Sequence, residues 1–171
     1  HDNVGACKEL VTVLFAKGIQ NIAYLGSNMD QMVNRCRYQG YEEAYRKGKR
    51  KLNQDLVYTD LSSRAMVEKA VGELKNSGVE CILCQDDYIC DEVVRKLARM
   101  GVRIPDQMKV ASCHYSRILE NYPVTITSLK FNITELGRRS CQVLLDMIHG
   151  RTVPDKTLLD YEIILKESTK G

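Results

Sequence analysis

At 171 residues, 44% of them hydrophobic, the chain is long enough for one buried core, or for one core and a piece of a second. A net charge of +3 is too mild to point to nucleic acid by itself. No stretch approaches the roughly 18 to 20 apolar residues of a membrane span, and the start, His1-Asp2-Asn3-Val4-Gly5, lacks the apolar region of a secretion signal.

Taken in order, residues 3–17 predict a helix with Val4, Cys7, Leu10, Val11 and Leu14 on one face and Gly18 as its stop. Ile22-Ala23-Tyr24-Leu25 is a buried strand closed by the polar turn Gly26-Ser27-Asn28. A second helix, about 31–47, buries Val33, Cys36, Gly40, Tyr41 and Ala44. Gly40 inside it costs roughly 1 kcal/mol against alanine, which argues for close backbone packing. The basic run from Arg46 to Lys51 has no interleaved aromatics for stacking bases, so it reads as cations near a helix C-terminus. A short strand at 55–58 follows, then a helix capped by Ser62 or Ser63 and running to about Ser77.

The stretch Val79–His114 sets the pattern for the whole. Val79–Cys84 is nearly all apolar, as in a parallel strand covered on both faces. Gln85-Asp86-Asp87 interrupts it where strand hands over to helix. Cys90, Val93, Val94, Leu97 and Ala98 then fall on one helical face, stopped by Gly101 and Pro105, and Lys109–Cys113 is the next strand, with His114 at its end. Polar groups thus end two neighbouring strands at one sheet edge, where open α/β sheets bind ligands. After an irregular 115–123, residues 124–129 alternate, a helix spans about 133–149, and 157–166 reads as a last strand. The fold class is therefore α/β, a doubly wound parallel sheet flanked by helices.

The seven cysteines are an odd number scattered over core faces, which suits free thiols in a reducing cytoplasm. Cys81 and Cys84 lie three apart in a strand, so their sulfurs point to opposite faces and cannot share a metal or a disulfide. Cys113 and His114 likewise diverge and make no nucleophile–base pair. With no Gly-rich phosphate loop, HExxH or GxSxG, catalysis is not expected, nor any cofactor or metal.

Six segments in order resemble the effector-binding core of the LacI/GalR family of bacterial transcription regulators. Asn3-Val4-Gly5-Ala6 is similar to the family's crossover into a helix, and Lys17–Gly26 to its "L-G-H-x-x-I-A-x-I-x-G" strand. Arg35–Tyr41 resembles "x-x-R-x-x-G-Y", and Gly101–Val110 "G-I-R-V-P-E-D-V-S-V". Thr125–Lys130 with Glu135–Arg139 resembles "L-T-T-V-x-Q…E-L-G-R-x-A", and Glu167-Ser168-Thr169 the "R-E-S-T" ending. The resemblance implies a periplasmic-binding-protein-like type I lobe plus a returning helix and strand of a second, mostly missing lobe. Residues 3–128 would be the effector-binding C-terminal lobe, 129–160 a segment returning to the missing N-terminal lobe, and 161–171 the final strand and tail back on the C-terminal lobe. It implies a cytoplasmic homodimer that senses a sugar or related small effector. DNA would be reached only through an N-terminal helix-turn-helix absent from this chain, with no membrane partner. A periplasmic-type sugar-binding protein for transport or chemotaxis is the alternative.

By the same resemblance Arg37 matches an arginine that binds effector hydroxyls or carboxylates, with a structural salt bridge as its other reading. Asp86 falls at an "N-D" turn facing the ligand, or caps the next helix, a role that Asp87 could also take. His114 stands where the family pattern "G-F-D-D" places an acidic contact. It exchanges a pure acceptor for a group that donates or accepts, which opens the site to a more anionic or nucleobase-like effector. Leu61 stands where many members stack an aromatic on the sugar ring. Core or loop roles remain open for His114 and Leu61.

Overall fold

The computed structural model describes residues 1–170. Its order is α1 (Asn3–Ala16), β1 (Ile22–Leu25), α2 (Met32–Lys47), β2 (Val57–Tyr58), α3 (Arg64–Leu74), β3 (Cys81–Cys84), α4 (Asp87–Arg99), β4 (Lys109–Ser112), β5 (Thr127–Phe131), α5 (Ile133–Ile148) and β6 (Tyr161–Ile164). Three short 3₁₀ turns lie at 54–56, 117–121 and 167–169. The strands form one sheet in the order β2-β1-β3-β4-β5-β6, parallel from β2 to β5, with β6 antiparallel on β5.

Two layers of helix sandwich the sheet because the central strands β1 and β3 are apolar at every position. Ile22 and Tyr24, with Cys81, Leu83, Ala111 and Cys113, pack under α1 and α2. Their neighbours Ala23, Leu25, Ile82, Cys84 and Val110 face α3 and α4. The two-residue period of a strand divides the core in this way. It also sends the Cys81 and Cys84 sulfurs to opposite faces, and no three His, Cys, Asp or Glu side chains among the described residues converge as a metal site.

Local chemistry sets the helix ends. Asp2, Ser63, Asp86 and Asn132 each accept a backbone N–H at the start of α1, α3, α4 and α5. Gly18 and Gly101 follow α1 and α4 with φ of +90° and +67°, in the left-handed region. Gly40 lies where α2 crosses α1. A Cβ there would sit 2.4 Å from the Val4 carbonyl oxygen and 2.9 Å from Cys7 Cβ, so the helices touch backbone to backbone.

Helix α5 differs from the others. None of its residues is buried, and Ile133, Leu136, Leu144, Leu145, Met147 and Ile148 are exposed. It stands off the sheet, whereas the chain after it comes back as β6. Past β6 the Ser168 hydroxyl donates to the Val110 carbonyl at 2.6 Å and accepts from the Thr127 N–H at 2.9 Å, and both Ser168 and Thr169 are wholly buried. No helix is long and apolar enough to cross a membrane among the described residues.

Candidate functional site

The chain order decides where a crevice forms. From β1 the chain leaves through α2 to one face, and from β3 it leaves through α4 to the other. Adjacent strands whose continuations diverge leave a gap at their carboxyl ends, the switch point of a doubly wound sheet. Here the gap lies between Gly26-Ser27-Asn28 after β1 and Gln85-Asp86-Asp87 after β3.

Gln85 makes the floor. Its side chain is wholly buried, and its amide grips the Ser27 peptide from both sides: Oε1 accepts from Ser27 N–H at 3.2 Å and Nε2 donates to Ser27 O at 3.1 Å. The Tyr24 hydroxyl donates to the same Oε1 at 3.4 Å. This clamp explains Gly26, where a Cβ would sit 2.4 Å from Gln85 Oε1. Asn34, one turn into α2, donates to the Ser27 and Asn28 carbonyls at 2.9 and 3.0 Å and holds the turn from the other side.

Arg37 sits on the inner face of α2 with Gly40, Tyr41 and Ala44, at helical spacing, and is only 8% exposed. Its Nη1 donates to the Gln85 carbonyl at 2.9 Å and its Nε to Asn3 Oδ1 at 3.2 Å. Among the described residues it forms no salt bridge, and through neutral acceptors the guanidinium ties α1, α2 and the end of β3 together. Nη2 makes no hydrogen bond within the described residues and is not buried.

Asp86 caps α4, with Oδ1 accepting from Ile89 N–H at 2.9 Å, and so serves the helix as well as the edge. Asp87 follows it in the first turn, 6% exposed, and accepts from His114 Nδ1 at 3.1 Å. Burial pushes the Asp87 carboxyl up, but hydrogen bonds from Ser116 and His114 outweigh it and hold the group below the usual aspartate value. Asp87 is therefore ionised near neutral pH. His114 is itself fixed through its backbone: its N–H donates to Ser112 Oγ at 3.2 Å, while that hydroxyl donates to His114 O at 2.8 Å.

Three of the four residues singled out from sequence thus meet around Gln85–Asp87: Arg37, Asp86 and His114. Leu61 does not join them. It is 6% exposed and packs in the α3–α4 core, with its N–H bonded to the Gly26 carbonyl at 3.0 Å. Its position follows from its type, since an aliphatic chain gains more from that core than from an open edge. Gln85, Asn3, Asp87 and Ser116 were not singled out as site residues. A polar Gln placed directly after four apolar strand residues was the available signal for the first; the Asp87–His114 contact joins residues 27 apart and had none.

Next to this edge the Cys7 and Cys113 sulfurs lie 3.6 Å apart, both wholly buried. The hydrogen bond between them, and then burial, push the Cys7 thiol well up. A thiol in that state is a poor nucleophile.

An open, doubly wound α/β sheet with polar groups gathered at its switch point is the kind of edge at which such sheets bind ligands. The model of the periplasmic binding protein-like domain matches residues 11–169, and the chain belongs to that family. The transcriptional regulator CelR of Thermobifida fusca is 26% identical over 171 residues, covering 98% of this chain and 50% of that protein. The solved structure of CcpA of Lactococcus lactis, also a transcription regulator, superposes with a TM-score of 0.87 at 23% identity, over 99% of this chain and 63% of that one. A complex of CelR with cellobiose superposes at 0.86 with 25% identity, over 98% and 52%. The chain spans about half the length of the curated relatives it matches, and those relatives are HTH-type transcriptional regulators or repressors.

Proposed function

We propose that this chain is the effector-sensing lobe of a LacI/GalR-type transcription regulator and that its switch-point crevice is half of the effector site. The observation that carries the reading is the convergence of Arg37, Asp86 and His114 on one edge of the sheet, with unspent polar atoms on each. Residues 3–128 supply that half-site. Of residues 129–160, the first three stay in this sheet as the end of β5 and the rest, including α5, belong with a second lobe, which accounts for a helix with no buried residue, and 161–171 return to this lobe. Met32 and Tyr88, in the first turns of α2 and α4, are large exposed side chains at the same edge, as expected of a rim that another lobe covers. A ligand held by both lobes would favour their closed arrangement, and its differential affinity for the two arrangements would bias DNA binding by a helix-turn-helix elsewhere in a cytoplasmic dimer. The role is non-enzymatic. Transport in an oxidising compartment is disfavoured by seven free cysteines, five of them in the core.

The test is a thermal-shift panel of neutral mono- and disaccharides, cellobiose among them, on the full-length regulator. A true effector at 100 times its Kd stabilises by about 2.7 kcal/mol, and His114→Ala should remove most of that shift, measured from the variant's own ligand-free midpoint, which falls because buried Asp87 loses a partner. A panel with no shift, or an equal shift in the His114 variant, sinks the reading.

A further inference from the structure

The imidazole of His114 could meet a ligand in either of two tautomers, and the structure decides between them. Asp87 is buried in the first turn of α4, where the helix dipole also favours an anion. A carboxylate can only accept, so at 3.1 Å the proton between the two residues must be on Nδ1. With Nδ1 protonated, the neutral form of the ring carries its lone pair on Nε2. That atom has no partner among the described residues and is not buried, and the side chain is 37% exposed. In that form position 114, two residues past the end of β4, offers an acceptor on a part-exposed side chain.

We infer that Asp87 is a positioning residue that locks His114 as an outward hydrogen-bond acceptor, so that the half-site selects an uncharged effector that donates hydroxyl or N–H groups. This rests on the effector-site reading above and adds the chemistry of the ligand. The other unspent atoms agree. Asp86 uses Oδ1 to cap α4, and its other oxygen can only accept. Arg37 uses Nε and Nη1 internally and keeps Nη2 to donate. Two acceptors and one donor suit adjacent hydroxyls, each of which both gives and takes. An anionic group finds one arginine already engaged twice, with the carboxylates of Asp86 and Asp87 beside it. The neutral histidine therefore keeps the acceptor role of the acidic residue it stands in for, and of the anionic or nucleobase-like effectors to which its presence opens the site, this geometry favours the uncharged.

The test is long-range ¹⁵N–¹H correlation spectroscopy of the 171-residue chain at neutral pH. The chain has three histidines, so the His114→Gln spectrum assigns the ring. The expected wild-type signature is a proton on Nδ1 and a pyridine-type Nε2, the reverse of the tautomer that free imidazole side chains prefer. Asp87→Ala should shift the ring to the Nε2-protonated form, and Asp87→Glu should restore the wild-type pattern. A wild-type ring protonated on Nε2, or an Asp87→Ala variant with an unchanged tautomer, overturns the inference. If Asp87→Ala fails to fold, the wild-type spectrum still decides. Inorganic phosphate is the anionic probe. A flat titration at His114 is expected, and saturable phosphate-induced shifts there overturn the preference for uncharged ligands. Failure of the effector-site reading looks different: sugars that bind the full-length regulator while leaving the Nε2 resonance unmoved, the tautomer standing as described.

Discussion

Replacing Arg37 by alanine measures how much of this residue belongs to the fold and how much to a ligand. The guanidinium makes two internal hydrogen bonds, at 2.9 Å to the carbonyl of wholly buried Gln85 and at 3.2 Å to Asn3. A hydrogen bond from a charged donor contributes about 1.5–3 kcal/mol, and the longer one to partly buried Asn3 belongs at the bottom of that range. Truncation strands the Gln85 carbonyl and empties the space of a long side chain. Water entering from the open edge offsets some of this, so the expected loss is about 2–4 kcal/mol. In urea unfolding followed by circular dichroism, a slope of about 2 kcal/mol per molar turns that loss into a midpoint about 1–2 M lower. Arg37→Lys keeps the charge without the planar fork and should fall in between. An alanine variant within about 0.5 kcal/mol of wild type would refute the reasoning. The loss of effector response expected for Arg37→Ala in a full-length regulator must accordingly be read against its stability, as must that of the His114 variant, which leaves Asp87 short of a partner.

Three further outcomes follow from geometry. Gly40→Ala, which in an open helix gains about 1 kcal/mol, should instead lose about 1–3 kcal/mol because its methyl meets the Val4 carbonyl; a raised melting temperature would contradict the close α1–α2 contact. Asp87 titrates below its ordinary value in the fold, so its contribution is present above the unfolded carboxylate pKa of about 3.9 and lost as pH falls through the lower folded value. The stability gap between wild type and Asp87→Asn should therefore be level near neutrality and close only in acid, and a gap that widens below pH 4 would reverse the sign. The apolar side chains of α5 should drive concentration-dependent association of this chain, relieved by Leu144→Glu with Ile148→Lys at unchanged thermal midpoint. Light scattering that shows a wild-type monomer throughout would count against it.

Strands and helices were legible where one physical signal dominated. The all-apolar runs at 22–25 and 81–84 are strands covered twice, and the 3.6-residue spacing of α4 named Cys90, Val93, Val94 and Leu97 of its buried face, while Ala98 is exposed and the buried Ile89 was missed. Gly40 announced the helix contact because nothing else justifies its cost. Strand ends placed Asp86 and His114 on a common edge, since parallel strands all end on the same side, whereas Arg37, on α2, was assigned through the resemblance alone. What stayed hidden was pairing across distance. That Gln85 would fold its amide onto Ser27, and that Asp87 would take His114, depends on the relative heights of β1, β3 and β4, which register sets and local pattern does not. Leu61 was assigned by position, and burial overruled it.

The antiparallel return of the last strand has an engineering consequence. Phe131 and Tyr161 stand directly opposite each other in the β5–β6 ladder, so the 29 residues from 132 to 160 amount to an insertion at the tip of a hairpin. Excising them and closing the tip with Asn-Gly, the two-residue link that matches strand twist, should yield a miniature receptor half. It would keep the Thr127–Ser168 latch and the crevice while shedding the sticky helix.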